Sequence, residues 1–148
     1  MSRRRLVSAI ALVLLPLGLT LTACSDDQTV SVSSGPTADA APAVGSSLGS
    51  ADFAAALKLP GTTVLDVRTP AEFAEGHIEG ATVIDYNAPG FEEAVGELDR
   101  SVPYFVYCHS GNRSAGAVAV MTALGFERLY ELDGGIVAWQ AAAQPLTT

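Results

Sequence analysis

A cysteine and an arginine five positions apart, Cys108 and Arg113, are the residues of this chain best placed to do chemistry. The apolar run at residues 104–107 predicts a buried strand that ends at Cys108. A polar loop containing Gly111 follows, and an Ala/Val-rich helical pattern begins beside Arg113. This order forms an anion site, because loop N–H groups converge there with the positive end of the helix dipole. Such a site stabilises a thiolate, which is the nucleophile that covalent catalysis needs.

Strand and helix patterns alternate along the chain, and they must position this loop. The β-branched and apolar residues 62–67 predict a second strand, which ends near Asp66 and Arg68. The alternation is typical of an α/β fold with an open, mostly parallel sheet covered on both faces. Ligands bind at the carboxyl ends of the strands in such sheets, so we expect Asp66 and Cys108 to border one crevice.

Local signals predict the remaining elements. Thr69 is the expected N-cap of a short helix, with Pro70 at its first position, Glu72 closing a capping box and Gly76 ending it. A helix near 114–124 consists almost entirely of Ala, Val and Met, so we expect it to be largely buried. The other predicted elements are helices near 52–57 with Ser50 as N-cap, 91–98 and 136–139, and strands near 82–85 and 128–132.

The residues from about 50 to 140 resemble the rhodanese family of sulfurtransferases. The resemblance implies a small α/β domain with a central, mostly parallel sheet of about five strands and helices on both faces. The loop fits this family because the ring from Cys108 to Arg113 holds six residues, whereas related cysteine phosphatases use a loop one residue longer. The matching motifs are Leu65-Asp66-Val67-Arg68, Glu72-Phe73, Gly76-His77-Ile78-Glu79-Gly80-Ala81, the loop Cys108 to Ser114, Leu132-Asp133-Gly134-Gly135 and Trp139.

The resemblance implies roles for individual residues. Cys108 matches the nucleophile that carries sulfur as a persulfide, and Arg113 matches the arginine that faces the incoming anion. Asp66 and Arg68 match a supporting pair, and we expect Arg68 to pair with Glu72 while Asp66 braces loop backbone. The backbone N–H groups that would cradle the sulfur belong to His109, Ser110, Gly111, Asn112 and Arg113.

Two histidines and a tryptophan in or near these motifs also receive an interpretation. His77 could be a polar group behind the site, but we expect it to satisfy its own turn. His109 is expected to serve as loop wall rather than as a base, since a thiolate needs none. Trp139 is expected to pack in the core or at its rim.

The loop sequence also bears on the substrate and on competing functions. It lacks the Gly-Ser/Thr-Gly-Val pattern of mercaptopyruvate-type members, so thiosulfate or a persulfide is the expected donor, and a thiol or cyanide the acceptor. A phosphatase would need the longer loop, and a thiol redox protein would usually need a Cys-x-x-Cys pair. A structural cysteine is the plain alternative. The main rival is a non-catalytic rhodanese-like module that binds a partner or senses sulfur species at the cell envelope.

The N-terminus predicts export. Residues 1–23 read as a signal peptide, with a basic start, an apolar core and a small residue before Cys24. A cysteine at this point resembles the lipobox of bacterial lipoproteins, so we expect Cys24 to be lipidated and to anchor the protein to the membrane outside the cytoplasm. An unlipidated secretory signal and an uncleaved anchor are the alternatives. Residues 24–49 predict a disordered tether, and residues 50–148 the rhodanese-like domain.

Composition excludes several partners. The chain has 8 basic and 16 acidic residues, and cleavage after residue 23 would remove three arginines, for a net charge of −11. This balance argues against nucleic acid and against electrostatic membrane binding, so lipid chains would do the anchoring. We expect no metal or cofactor, because the sequence has neither a metal-ligand cluster nor a nucleotide-binding glycine pattern. The sequence leaves the identity of any protein partner unknown.

Overall fold

The computed structural model describes residues 45–148. The predicted signal peptide, Cys24 and nearly all of the predicted tether therefore lie outside the described residues. Within the described part, strands and helices alternate along the chain. The strands are β1 Ser46–Leu48, β2 Thr63–Asp66, β3 Ala81–Val83, β4 Tyr104–Tyr107 and β5 Leu129–Leu132. The helices are α1 Ser50–Ala56, α2 Pro70–Glu75, α3 Phe91–Gly96, α4 Asn112–Ala123 and α5 Gly135–Ala141.

Within residues 45–148 the strands form one five-stranded sheet in the order β1-β5-β4-β2-β3. Every neighbouring pair is parallel, which confirms the predicted α/β fold. The chain leaves β2 toward one edge of the sheet and leaves β4 toward the other. The crevice between two such strands is where open α/β sheets bind ligands. Asp66 and Tyr107 are in register here, so Cys108 emerges beside the end of β2.

The sheet divides the core into two layers. Alternate residues of a strand point to opposite faces of the sheet. All four side chains of β4 are buried, so both faces of this strand are covered. Phe105 and Tyr107 pack with residues of α1 and α5 on one face. Tyr104 and Val106 pack with residues of α3 and α4 on the other. Helices therefore cover both faces, and the strand that delivers Cys108 is buried on both sides.

Three local expectations need correction. Strand β1 pairs with β5 inside the stretch predicted as tether, so the ordered region begins before residue 50. The N-cap of α1 is Gly49 rather than Ser50. Helix α4 is not largely buried: its buried residues are Ser114, Ala117 and Met121, which form a single stripe, because small side chains on its outer face need no cover.

The capping prediction for α2 is confirmed. Thr69 and Glu72 form a complete capping box, Pro70 starts the helix, and Gly76 is its C-cap. The helix is thereby fixed at both ends although it buries none of its own residues. No helix among residues 45–148 is long and apolar enough to cross a membrane.

Candidate active site

Cys108 lies at the carboxyl end of β4, where the sheet meets the loop. Its side chain is almost fully buried, and it is a free cysteine. The Gly111 N–H donates to its Sγ at 3.1 Å, and the Ser114 hydroxyl lies 3.5 Å from the same sulfur. Helix α4 begins at Asn112, so its first turn faces the sulfur. The predicted strand, loop and helix start therefore meet at Cys108.

The surroundings of Cys108 favour its thiolate. Burial by itself raises the pKa of the Cys108 thiol, because a buried charge loses its hydration. Hydrogen bonds from the Ser114 side chain and from the backbone of Ser114, Ser110 and Gly111 outweigh this, and the net effect lowers the pKa. The loop thus stabilises negative charge on the sulfur through N–H and O–H groups of its own residues.

Helix α5 supports the loop from behind. The Ile136 N–H donates to the Cys108 carbonyl at 2.9 Å, and the Val137 N–H donates to the His109 carbonyl at 3.2 Å. Gly135 allows this approach, because it has a φ of 60° and a Cβ there would lie 2.6 Å from the Cys108 carbonyl oxygen. With these carbonyls turned toward α5, the loop N–H groups are free to face the sulfur.

Arg113 is held by a glutamate of α2. Its two terminal nitrogens donate to the two carboxylate oxygens of Glu72, at 2.9 Å and 2.7 Å. The hydrogen bonds from Arg113 lower the pKa of Glu72 to about 2, against partial burial that works in the other direction. The expected partner of Glu72 was Arg68, and that expectation is wrong. The role of Arg113 toward an incoming anion stays a prediction.

Asp66 and Arg68 form a buried pair of their own. The Arg68 Nη2 donates to Asp66 Oδ2 at 2.6 Å, and its Nε lies 3.0 Å and 2.9 Å from the two carboxylate oxygens. Burial opposes the charge of Arg68, but the hydrogen bond and attraction of Asp66 raise its pKa overall. Arg68 also donates to the Gly76 carbonyl at 2.8 Å. The pair therefore ties the end of β2 to the end of α2, the helix that carries Glu72.

Asp66 braces backbone, but at its own strand end. Its Oδ1 accepts the Arg68 N–H at 2.9 Å, two residues along the chain. This contact fixes the turn out of β2 and orients the guanidinium of Arg68. The contacts of the pair reach the end of α2, and the supporting role of both residues toward the loop stays a prediction.

The remaining residues singled out in the sequence lie around the loop, in a turn and in the core. The side chains of His109, Ser110 and Asn112 are exposed around the loop, and the role of their backbone toward a substrate stays a prediction. His77 lies in its own turn, with Nδ1 3.0 Å from the Phe73 carbonyl and its ring stacked on that of Phe73. Trp139 is a buried residue of α5 and packs in the core, as predicted.

Two polar residues at the site received no role from the sequence. Ser114, the last residue of the loop motif, places its hydroxyl 3.5 Å from Cys108 Sγ in the first turn of α4. Glu131 lies in β5, and its Oε1 is 2.7 Å from the Ser114 hydroxyl. The available signal was a carboxylate inside an otherwise buried strand, adjacent to the strand that ends at Cys108.

A cavity of about 310 Å³ opens beside the loop. His109, Glu72 and Gln140 contribute polar lining, and Leu146 contributes an apolar part. Arg68 and Glu75 line it as well, and His109 is the loop residue that borders it. Among the described residues there is no group of three or more His, Cys, Asp or Glu side chains that could hold a metal ion.

The fold and the site define a class: α/β domains with a cysteine in a short loop between a central parallel strand and a helix N-terminus. The model of the rhodanese-like domain family matches residues 50–142. This match covers most of the chain, and the chain belongs to the rhodanese-like domain family.

Curated relatives and solved structures agree with this assignment. The chain is 36% identical to the thiosulfate sulfurtransferase GlpE of Pseudomonas entomophila over 92 residues, which cover 62% of this chain and 83% of the relative. It is 39% identical to GlpE of Pseudomonas aeruginosa strain LESB58 over 85 residues, covering 57% and 76%.

A crystal structure of a rhodanese-related protein from Thermoplasma volcanium superposes with a TM-score of 0.62 at 35% identity, covering 68% of this chain and 96% of that one. The Alr3790 protein from Anabaena gives a TM-score of 0.61 at 28% identity, covering 68% and 81%. The predicted five-stranded rhodanese-like architecture is therefore confirmed.

Proposed function

We propose that this rhodanese-type sulfurtransferase moves a sulfane sulfur from thiosulfate or a persulfide to a thiol or cyanide, through a persulfide on Cys108. The observation that carries the proposal is the position of Cys108 Sγ. It lies at the floor of the loop, 3.1 Å from the Gly111 nitrogen and facing the first turn of α4. The names of the curated relatives support thiosulfate as the donor.

The first half-reaction loads the sulfur. The Cys108 thiolate attacks the outer sulfur of thiosulfate and forms a new S–S bond. The S–S bond of the donor breaks, and sulfite leaves with the electron pair. The negative charge now lies on the terminal sulfur of the persulfide. The loop N–H groups stabilise it there, as preorganised donors stabilise developing charge in other active sites.

The second half-reaction unloads it. An acceptor thiolate or cyanide attacks the terminal sulfur, and the persulfide S–S bond breaks. The electron pair returns to Cys108 as thiolate, so the enzyme leaves the cycle as it entered. We place the acceptor on the side of the loop where His109 borders the cavity. We assign no base to either half-reaction, and the lowered pKa of Cys108 supports the thiolate as the attacking form.

The test is thiosulfate-to-cyanide transfer, followed as thiocyanate. Cys108→Ser should lose the activity, and the matched control Cys24→Ser, which removes the other cysteine, should keep it. Full activity in Cys108→Ser would refute the role of this sulfur. If the wild type and Cys24→Ser were both inactive although folded, the result would favour the non-catalytic binding or sulfur-sensing module.

We also propose that the protein is exported and anchored outside the cytoplasm by lipid on Cys24. The support is the sequence alone: a basic start, an apolar core and Ala23-Cys24. Fractionation of cells grown with labelled fatty acid tests it. Label and membrane association that both disappear in Cys24→Ser would support the anchor, and membrane association without label would indicate an uncleaved signal segment.

A further inference from the structure

Three hydrogen-bond acceptors surround the hydroxyl of Ser114. Glu131 Oε1 lies 2.7 Å from Ser114 Oγ, the Gly111 carbonyl oxygen 2.9 Å, and Cys108 Sγ 3.5 Å. A serine hydroxyl has a single proton to donate. The direction in which it points therefore decides how much Ser114 contributes to charge on the sulfur.

Glu131 is the strongest of these competitors. A charge-assisted hydrogen bond to a carboxylate is shorter and roughly twice as strong as a neutral one, and the 2.7 Å contact has that length. The position is fixed by the sheet, because Glu131 is in register with Val106 of β4, two residues before Cys108. Ser114 is fully buried and Glu131 half-buried, so bulk water does not readily replace either partner.

We propose that Glu131 is a positioning residue of the sulfur-transfer site, whose carboxylate draws the hydroxyl proton of Ser114 away from Sγ of Cys108. It thereby limits how strongly the loop holds negative charge on that sulfur. The inference rests on the proposed function only in taking Cys108 as the sulfur carrier. Its contacts are independent of any donor or acceptor.

Weaker stabilisation of the Cys108 thiolate has two opposite effects, one on the fraction of thiolate and one on its reactivity. A less stabilised thiolate forms at higher pH, but each thiolate is the better nucleophile, with a Brønsted slope of about 0.4–0.5. Arg113 also interacts with Cys108 by charge, and it is neutralised in part by its pairing with Glu72. Glu131, in β5, does not contact the sulfur and acts on it through its hydrogen bond with the Ser114 hydroxyl.

The test is the pH profile of Cys108 alkylation by iodoacetamide, read by intact mass on the full chain in detergent. A Cys24→Ser background leaves Cys108 as the only thiol. Glu131→Met removes the acceptor at similar volume. We expect alkylation about two- to five-fold faster on the acid side of the profile, because Ser114 can now donate to sulfur and the larger thiolate fraction outweighs the lower reactivity of each thiolate. On the alkaline side, where both proteins are thiolate, we expect it about two- to three-fold slower.

Ser114→Ala supplies the decisive background. If Glu131 acts through the hydroxyl, Glu131→Met has no effect on the profile once Ser114 is alanine. Glu127→Gln, an exposed glutamate just before β5, controls for the loss of one negative charge. Glu131→Gln is the second variant should the methionine protein not fold, and its uncharged oxygen should give a smaller shift in the same direction.

Two results would overturn the inference. An unchanged profile in Glu131→Met would mean that the proton goes to the Gly111 carbonyl regardless. An equal shift with and without the Ser114 hydroxyl would mean that Glu131 acts by its charge alone. Alkylation needs no sulfur donor, so either result is distinct from a failure of Cys108 to form a persulfide.

Discussion

The ion pair between Glu72 and Arg113 should stabilise the fold by ~1–2 kcal/mol at neutral pH, and Glu72→Gln should remove that stabilisation. Hydrogen bonds from Arg113, opposed by burial and assisted by Thr69, lower the pKa of Glu72 from 4.5 to about 2. A difference of that size corresponds to at most ~3.4 kcal/mol, at about 1.36 kcal/mol per pKa unit. The side chains of Arg113 and Glu72 remain 22% and 28% exposed, so solvent screening reduces the net value.

The glutamine variant isolates the pair from the helix cap. Glu72 also accepts from the N–H and hydroxyl of Thr69, at 3.0 Å and 2.9 Å. A glutamine at this position can still close a capping box, whereas Glu72→Ala cannot. Glu75→Gln on the same helix is the matched control. The measurement is urea unfolding, with the free energy of unfolding compared among the four proteins.

The pH dependence gives a second, independent check. The folded-state pKa of Glu72 is lowered, so its contribution is fully present above its ordinary value of 4.5 and is lost as the pH falls toward 2. The difference in unfolding free energy between wild type and Glu72→Gln should therefore be largest near pH 7. It should shrink to less than half by about pH 3.

Two results would refute this account of the pair. Glu72→Gln could cost no more than Glu75→Gln at neutral pH, which would mean that the pair contributes nothing after desolvation. Alternatively, its cost could be the same at pH 7 and at pH 3, which would mean that packing and not charge is lost.

Three further predictions concern the supports of the loop. Arg68→Met should destabilise the fold by ~3–5 kcal/mol in urea unfolding, because it leaves the buried carboxylate of Asp66 unpaired, and adding Asp66→Asn should recover part of the loss. Gly135→Ala should cost more than ~2 kcal/mol in the same assay, because its Cβ would collide with the Cys108 carbonyl, whereas Gly96→Ala, with open space around it, should be neutral or slightly stabilising. The midpoint of Cys108 alkylation should lie below that of free cysteine measured in parallel, and a midpoint above it would mean that burial outweighs the loop hydrogen bonds.

Local sequence signals predicted the framework of the site well. The apolar run before Cys108, Gly111 and the helix start fixed the loop, because strand, turn and dipole are properties of a short stretch. The capping box of Thr69 and Glu72 was predictable for the same reason.

Contacts between distant segments were not predictable in this way. Strand β1 has the sequence Ser-Ser-Leu, which carries no strand pattern, and it forms because β5 offers it an open edge. The choice of Arg113 rather than Arg68 as the partner of Glu72 depends on where α2 lies relative to the loop. Glu131 reaches Ser114 only because β4 and β5 are neighbours in the sheet.

The central claim is that Cys108 carries the transferred sulfur. Its most direct test is the intact mass of the purified protein before and after thiosulfate, with Cys108→Ser treated alongside. A gain of one sulfur atom, about 32 Da, on the wild type alone, reversed by cyanide, is the predicted result. A gain on both proteins, or on neither with thiosulfate or a persulfide donor, would contradict the claim.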